Sequence, residues 1–214
     1  MQVSLVITTY NYARYIERAI RSALDQSMPK NNYEVIVVND GSTDETESIL
    51  MNYVDDVRIF NLKQNVGLSA ARNHGIKKAK GQFVVFLDAD DYIHKDMLMI
   101  QSLFLFENNK INAISVDYYM VDEVGNRVKH VDASETPIAC GIMFRKDLLF
   151  DIGLYDEKFR AREEEDLRIR FLKKYKIYNL IIPLYRYRMH EMNLTKNHKV
   201  MKKYSKALNK KHNI

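Results

Sequence analysis

Four short apolar segments in the first ninety residues constrain the fold more than any other feature of the sequence. They read VSLVIT (3–8), YEVIVVN (33–39), VRIFNL (57–62) and FVVFLD (83–88). Each is short, rich in branched and aromatic residues, and continuous instead of alternating with polar residues, which is typical of strands that are covered on both faces. They predict a sheet buried between two layers of helices.

Helical segments separate these strands. Residues 14–25 repeat apolar side chains at helical spacing, residues 43–53 follow a capping-box pattern that opens on Ser42, and residues 69–80 open on Ser69 as a cap. An alternation of strand and helix predicts a parallel sheet with right-handed crossovers. The fold class is therefore α/β, with a mostly parallel, Rossmann-like central sheet flanked by helices.

The alternation stops after the fourth strand. Residues 113–131 predict a hairpin that turns at EVGN, and residues 177–189 predict a further strand. No linker rich in Gly, Ser or Pro separates the two parts. We therefore predict one domain over residues 1–198, with halves 1–92 and 93–198.

Positive charge is concentrated at the end of the chain. The sequence has 33 Lys and Arg against 28 Asp and Glu, and six of the lysines lie in residues 199–214, which hold no acid. With 27 basic residues elsewhere, the remainder is near neutral. Such a tail favours peripheral contact with an anionic membrane and not nucleic acid, because the basic footprint is narrow and an apolar helical face accompanies it. That face consists of Val200, Met201, Tyr204 and Leu208. The alternative is a solvated, frayed terminus.

Three features indicate the compartment. No run of eighteen apolar residues is present, so no membrane-spanning helix is predicted. The start, MQVSLVITTYNY, has no basic leader, and its apolar run is too short for a secretory signal. Cys140 is the only cysteine, which fits a reducing compartment. We expect a cytoplasmic location, with the tail able to reach the inner face of the cell membrane.

Polar loops follow all four predicted strands. They read TTYNY (8–12), NDGST (39–43), KQNVGLSAARN (63–73) and DADDY (88–92). Ligands of open parallel sheets bind at the carboxyl ends of the strands. These four loops therefore predict a ligand site at that edge.

Carboxylates in the fourth loop indicate a metal. Asp88 and Asp90 are two residues apart, so in an extended segment they point the same way. Hard oxygen ligands without a nearby thiolate suit Mg²⁺ or Mn²⁺, which are commonly bound together with substrate phosphates. The alternative is a solvated loop whose aspartates cap a helix.

A nucleoside would have to be recognised by side chains, because neither a G-x-G-x-x-G fingerprint nor a P-loop is present. Tyr10 can stack on a base, Asp40 can accept from a base N–H or a ribose hydroxyl, and Arg72 can meet a phosphate or a base carbonyl. Each of these residues alone is a weak signal.

Several segments in order resemble the family 2 glycosyltransferases of the GT-A fold, in particular members that build bacterial surface polysaccharides. The segments are VSLVITTYNY, VIVVNDGSTDET, NVGLSAARNHGIKKAKGQFVVFLDADD and LYRYRMHEMNLT, and the resemblance extends over about residues 3–195. It implies inverting transfer from a nucleotide-diphosphate sugar, most often a UDP-sugar, assisted by Mn²⁺ or Mg²⁺. The acceptor would be a hydroxyl of a glycan or lipid-linked molecule. Residues 1–92 would bind the nucleotide and residues 93–198 the acceptor.

The resemblance also implies roles for matching residues. The first family motif usually begins with proline, where this chain has Thr8. The implied residues are Thr8, Tyr10, Asn11 and Asp40 in the nucleoside pocket, Arg72 and Asp88 near the nucleotide, and Asp90 as direct metal ligand with Asp88 and His190 beside it.

The catalytic base should come from REEEDLRIR, which presents four acids in a row. Register on DLRIR points to Glu164, whereas a literal match to the family's Glu-Asp pair points to Glu165 and Asp166. We favour Asp166. Acids at a helix N-terminus are also stabilised by the helix dipole, but crowded like charges raise one another's pKa, which suits a group that accepts a proton.

Two other functions fit parts of the pattern. A sugar nucleotidyltransferase would use a nucleoside site and a metal aspartate, but it usually carries a Gly-rich phosphate loop near the first strand. A receiver-like regulatory domain that binds Mg²⁺ would carry acids at the end of the first strand, where this chain has Thr8 and Thr9.

Overall fold

Four parallel strands form the centre of the fold, as the sequence predicts. The computed structural model describes residues 2–191, 193 and 196–214, so residues 192, 194 and 195 of LYRYRMHEMNLT lie outside the described part. The central strands are β1 (Val3–Thr9), β2 (Tyr33–Asn39), β3 (Arg58–Asn61) and β4 (Phe83–Asp88). β1 pairs with both β2 and β4, and β2 pairs with β3, all in parallel.

Three helices connect these strands, namely α1 (Ala13–Leu24), α2 (Thr46–Leu50) and α3 (Leu68–Lys78). Single 3₁₀ turns lie at Lys30–Asn32 and Met51–Tyr53. α3 packs closely on β1 because Gly75 has no side chain: a Cβ there would lie 2.4 Å from Val6 Cγ1. This contact fixes the helix that carries Arg72.

The predicted caps of α2 and α3 are wrong. Ser42 Oγ accepts a hydrogen bond from the backbone N–H of Asn11 in the preceding loop, and Asp44 accepts from the N–H of Thr46. Ser69 lies inside α3, where its hydroxyl donates to the carbonyl of Phe159. Both serines are used to join separate segments, which local spacing could not reveal.

The second half extends the same sheet instead of building another core. Its elements are β5 (Tyr92–Ile93), α4 (Met97–Glu107), β6 (Ala113–Val121), β7 (Arg127–Val131), β8 (Met143–Arg145), α5 (Lys146–Asp151), α6 (Glu163–Leu172), β9 (Ile177–Arg188) and α7 (His198–His212). The strand order is β3-β2-β1-β4-β8-β6-β9-β5, with β7 paired to β6. The predicted hairpin and last strand are confirmed, and the fold is α/β with a mixed sheet.

Among the described residues, every antiparallel pair includes a strand that follows β4. β8 is antiparallel to β4 and to β6, and so joins the parallel centre to the β6–β9 pair, which is again parallel. The register between β6 and β9 shifts next to Asp117, opposite Pro183. An irregularity there accommodates a proline, which cannot donate to the ladder.

Residues 199–214 largely form α7, which packs against the body. Leu208 is buried, the Tyr204 ring lies 6.0 Å from that of Phe159, and Lys211 and His212 contact Asp166. The apolar helical face on which the membrane prediction rests is therefore turned inward. Contact of the remaining lysines with an anionic surface stays a prediction. Within the described ranges, no helix combines the length and apolar character that crossing a bilayer requires.

Candidate active site

A cavity of about 790 Å³ opens at the carboxyl ends of the central strands. Its walls come from the ends of β1 and β4, the loop before α3, the start of α6, the strands β6 and β9, and one side of α7. This is the edge at which the sequence predicts a ligand site. The strands bring together loops that are far apart along the chain.

The three aspartates after β4 have different partners. Asp88 Oδ1 accepts from Arg72 Nη2 at 2.8 Å, and Asp90 Oδ2 lies 2.8 Å from His190 Nε2. Asp91 points away from the cavity and accepts from the Tyr185 hydroxyl at 2.6 Å and from a backbone N–H of β9 at 2.7 Å. Burial raises the pKa of Asp91 well above its usual range. Asp91 therefore anchors the loop, while Asp88 and Asp90 line the cavity.

The contact between Asp90 and His190 joins the end of β4 to the segment after β9. Both residues are buried, and the imidazole packs 4.8 Å from the Tyr15 ring, centroid to centroid. Burial raises the pKa of Asp90, and the hydrogen bond to His190 opposes that shift. The Asn193 side chain approaches Asp90 Oδ2 at 3.5 Å and lines the cavity. Sequence reasoning missed Asn193, because no spacing rule relates it to Asp90.

The donor set at this point fits a hard divalent cation. Among the described residues, no group of three or more His, Cys, Asp or Glu side chains is arranged to hold a metal ion. Asp88 and Asp90 nevertheless present carboxylate oxygens to the cavity, with His190 against Asp90. One or two carboxylates completed by substrate phosphates are the usual ligands of Mg²⁺ and suit Mn²⁺.

Arg72 is a buried cation between the two acidic segments. Its Nη2 donates to Asp88 Oδ1 and its Nη1 donates to Glu163 Oε1, both at 2.8 Å. The guanidinium carbon lies 5.4 Å from the centroid of the Tyr155 ring. Burial acts to lower the pKa of Arg72, but neighbouring charges, with Asp88 the strongest, raise it well above its usual range. Arg72 thus fixes two carboxylates at the cavity, and its predicted contact with the nucleotide stays a prediction.

Asp40 lies at another corner of the cavity. Its carboxylate is buried and accepts from the backbone N–H groups of Val66 at 2.8 Å and Gly67 at 2.9 Å. Burial raises the pKa of Asp40, while these hydrogen bonds and the charge of Arg160 oppose the shift. The loop before α3 therefore holds the Asp40 carboxylate in a fixed orientation.

The residues predicted after β1 divide into two groups. Thr8 and Tyr10 line the cavity, and Tyr10 is 42% exposed, so its ring is open to a ligand. Asn11 is absent from the lining; it has a φ of 57°, and its Oδ1 accepts from the backbone N–H of Thr43 at 2.8 Å. Asn11 therefore joins the loops after β1 and β2.

The four acids of α6 also separate. Glu163 pairs with Arg72, and Glu164 lines the cavity. Burial, and then the charge of Glu163, raise the pKa of Glu164 to about 7. Glu165 accepts from Arg162 Nε at 2.8 Å and is absent from the lining.

Asp166 lies on the side of α6 that faces α7. Its fully buried carboxylate contacts Arg170 at 2.8 Å, Lys211 at 2.6 Å and His212 at 2.8 Å. Burial acts to raise the pKa of Asp166, but the hydrogen bonds from these three residues outweigh it and lower the pKa. The carboxylate is absent from the cavity lining. Of the acids predicted as the base, Glu164 thus lines the cavity, whereas the favoured Asp166 does not.

Several cavity residues were not singled out from the sequence. Aromatic and apolar side chains of β6 and β9 form one wall, and basic residues lie before α6 and on α7. These residues are Tyr118, Met120, Tyr187, Arg160, Arg162 and Lys203. The helical spacing of Val200, Met201 and Tyr204 could have indicated a packed helix, and these three residues also line the cavity.

Comparison with protein families and sequences gives consistent matches. Residues 4–175 match the family model described as Glycosyl transferase family 2. The chain is 32% identical over 211 residues to the Rickettsia typhi protein named Uncharacterized glycosyltransferase RT0329, which covers 90% of this chain and 65% of that protein. It is 38% identical over 184 residues to the Staphylococcus aureus poly(ribitol-phosphate) β-N-acetylglucosaminyltransferase TarS, which covers 77% of this chain and 31% of TarS. The chain thus spans less than two thirds of either relative.

Solved structures support the same fold. The crystal structure of S. aureus TarS 1–349 in complex with UDP-GlcNAc matches with a TM-score of 0.80 and 27% identity, over 92% of this chain and 61% of that chain. The mannosyltransferase PcManGT from Pyrobaculum calidifontis, in complex with GDP-Man and Mn²⁺, matches with a TM-score of 0.72 and 20% identity, over 90% and 58%. The second likeness concerns the fold alone. Together they confirm the predicted GT-A-like α/β fold.

Proposed function

The chain belongs to glycosyl transferase family 2, and from this membership we propose that it moves a sugar, with inversion, from a nucleotide-diphosphate sugar to an acceptor hydroxyl. A UDP-sugar is the proposed donor, since the similar structures of TarS hold UDP or UDP-GlcNAc. The proposed acceptor is a glycan or lipid-linked molecule in cell-surface polysaccharide synthesis, and TarS carries the name of a poly(ribitol-phosphate) transferase.

One observation carries this proposal: Asp40, Asp88, Asp90 and Glu164 line a single cavity of about 790 Å³. This volume lies within the range of about 300–1,000 Å³ that is usual for small-molecule sites. One bound molecule can therefore reach three kinds of group. Asp40 is a fixed acceptor for a nucleoside, Asp88 and Asp90 offer carboxylates for a cation, and Glu164 is a carboxyl group with a raised pKa. This combination is what sugar transfer from a nucleotide donor requires.

Glu164 is the proposed catalytic base. It lines the cavity, and its pKa of about 7 lets the carboxylate accept a proton near neutral pH. In the proposed reaction Glu164 takes the proton of an acceptor hydroxyl as that oxygen attacks the anomeric carbon from the face opposite the diphosphate. The bond to the diphosphate oxygen breaks in the same step, so one displacement inverts the configuration.

Asp90, with Asp88 and His190, is the proposed holder of Mn²⁺ or Mg²⁺. A cation bound there would offset the negative charge that develops on the departing diphosphate. The Arg72 contacts with Asp88 and Glu163 hold the two acidic segments at a fixed separation while the donor binds. Tyr10 is proposed to stack on the base, and Asp40 is proposed to accept a hydrogen bond from an N–H of that base.

A donor panel tests the proposal. The chain would be mixed with UDP-GlcNAc, UDP-glucose, UDP-galactose and GDP-mannose in Mn²⁺, Mg²⁺ or EDTA, and its Tm and donor hydrolysis measured. We expect at least one UDP-sugar to raise the Tm in Mn²⁺ but not in EDTA, and to be slowly hydrolysed to UDP. Two results would overturn the proposal: no nucleotide sugar shifts the Tm with any ion, or the donor is cleaved only when pyrophosphate is added, as a nucleotidyltransferase would do.

A further inference from the structure

Arg160 lies beside the Asp40 corner of the cavity, in the segment that joins α5 to α6. It is an exposed residue that lines the cavity. Its guanidinium lies over Gly67, because a Cβ on that glycine would be 3.6 Å from Arg160 Nε and 3.7 Å from Arg160 Cζ. Its Nη1 approaches Asn65 Oδ1 at 3.5 Å. The loop of residues 65–67 thus contacts both the Asp40 carboxylate and the Arg160 guanidinium.

Arg160 differs from the other arginines of the cavity in its ionic partners. Arg72 pairs with Asp88 and Glu163, and Arg162 pairs with Glu165. In the described part of the chain, no carboxylate oxygen lies within 4.0 Å of the Arg160 guanidinium nitrogens. The guanidinium therefore keeps most of its donor capacity for a ligand.

Asp40 offers the complementary group. Two backbone N–H groups fix its carboxylate, and each carboxylate oxygen retains capacity for a further donor. The corner accordingly presents an acceptor, Asp40, next to a donor, Arg160. A ligand edge that fits this pair has an N–H beside a carbonyl oxygen.

Nucleobases differ at this edge. Uracil presents a ring N–H flanked by two carbonyl oxygens. Cytosine presents an unprotonated ring nitrogen beside an amino group, which would set an acceptor against the Asp40 carboxylate and a donor against Arg160. Guanine also has an N–H beside a carbonyl, but on a larger ring system.

We propose that Arg160 is a specificity-determining residue for the donor nucleobase: it donates a hydrogen bond to the carbonyl oxygen next to the ring N–H that Asp40 accepts, and the pair selects uracil over cytosine. The inference rests on the proposed function, because it requires a nucleotide in this cavity. It gives a residue outside every recognised motif a direct contact with the base.

Isothermal titration of UDP, UMP, CDP and GDP against the whole chain and an Arg160→Met variant tests the inference. We expect the unmodified chain to bind UDP more tightly than CDP. Arg160→Met should weaken UDP and UMP by the same factor, about tenfold to a hundredfold as for a lost charge-assisted hydrogen bond, and leave CDP unchanged. Arg160→Lys should recover part of the loss, because lysine can also donate.

Lys158→Met is the matched control. Lys158 is exposed in the same segment, and it is absent from the cavity lining. The variant deletes one positive charge of the same segment without removing a cavity residue. We expect its affinity for all four nucleotides to stay within about twofold of that of the unmodified chain. Thermal melting of each variant reports whether the fold is kept.

The possible results separate the two proposals. If the unmodified chain binds UDP and Arg160→Met binds it equally well, the base contact is wrong and the proposed function stands. If the variant weakens UDP more than UMP, and CDP as much as UDP, Arg160 contacts phosphate and the inference is overturned. Equal or tighter binding of CDP by the unmodified chain would overturn selection of uracil over cytosine. Absence of nucleotide binding by the unmodified chain would overturn both.

Discussion

The acids after β4 and the acids of α6 present the same problem to sequence reasoning, and they have different outcomes. Asp88 and Asp90, two residues apart, both line the cavity, whereas Glu164 and Asp166, also two residues apart, do not lie together. Glu164 reaches the cavity, and Asp166 is buried against α7. The spacing of the acids is identical, so the difference comes from the backbone that carries them.

The backbone geometry explains the contrast. The predicted extended segment ends at Asp88, and a turn follows in which the Asp91 N–H donates to the Asp88 carbonyl at 3.1 Å. This turn leaves Asp88 and Asp90 on the cavity and directs Asp91 toward β9. In a helix each residue turns by about 100°, so two residues separate by about 200°. Because α6 begins at Glu163, Glu164 and Asp166 project to opposite sides. Helix phase thus directs one carboxylate to the cavity and a similar one to the contact with α7.

Among the substitutions that test this comparison, replacement of Glu164 should have the largest effect on activity. We expect Glu164→Gln to lower kcat by about 10²–10⁴-fold, because the amide cannot accept the acceptor proton, while UDP-sugar affinity is kept. Single-turnover sugar transfer and donor titration measure the two quantities. Glu165→Gln, at the next residue but outside the cavity lining, is the control and should be close to normal. A near-normal rate for Glu164→Gln together with an inactive Glu165→Gln would reverse the assignment.

Replacement of Asp90 tests whether the carboxylates after β4 bind a cation. We expect Asp90→Asn to reduce Mn²⁺-dependent transfer by about 10²-fold, since a neutral amide is a poorer ligand and less negative charge attracts the cation. A Mn²⁺ titration of activity, and of the UDP-induced Tm shift, provides the measurement. Asp96→Asn, which alters a partly exposed acid near His94, is the control. If Asp90→Asn kept the full Mn²⁺ response, the metal role would have to be abandoned.

Replacement of Asp166 should mainly lower the stability of the protein. We expect Asp166→Ala to lower the free energy of unfolding by about 3 kcal/mol, because Arg170 and Lys211 would lose a buried ionic partner and His212 a hydrogen-bond partner. Since the folded-state pKa of Asp166 lies below its usual value, its contribution is present above about pH 4 and is lost as pH falls through the lowered pKa. Urea unfolding between pH 3 and 7 measures both effects.

Asp156→Ala, which removes only the more exposed partner of Lys211, is the matched control and should cost clearly less. Donor affinity of a folded Asp166→Ala sample should be unchanged. A large loss of kcat with no loss of stability would restore Asp166 as the base.

The pH profile gives the smallest expected effect and sharpens the choice of base. The base must be ionised, and burial with the charge of Glu163 raises the pKa of Glu164 to about 7. We therefore expect kcat/KM to rise about tenfold per pH unit below pH 7 and to level above it. Initial rates between pH 5 and 9 at saturating Mn²⁺ provide the test. A profile already level at pH 5 would indicate a base with an ordinary or lowered pKa, such as Asp166.

Much of the site was predictable where loops follow strands. Thr8, Tyr10, Asp40 and Asp88 reach one cavity because parallel strands bring their carboxyl ends to one edge. Arg160 was not predictable, because its place beside Asp40 depends on contact between residues 95 positions apart, Arg160 and Asn65. The inward face of α7 was visible as helical spacing, but the spacing does not tell which surface it covers.

The sequence by itself determined the α/β fold, the polar edge of the sheet and the identity of the acids that gather there, because continuous apolar runs and the turns after them are local properties of the chain. Tertiary structure alone decided which acid of α6 faces the cavity and where the basic terminal helix packs. It also decided that the Arg160 side chain lines the cavity without a carboxylate partner among the described residues. Those outcomes depend on helix phase and on neighbours distant in the chain, and so on which charges are neutralised on folding.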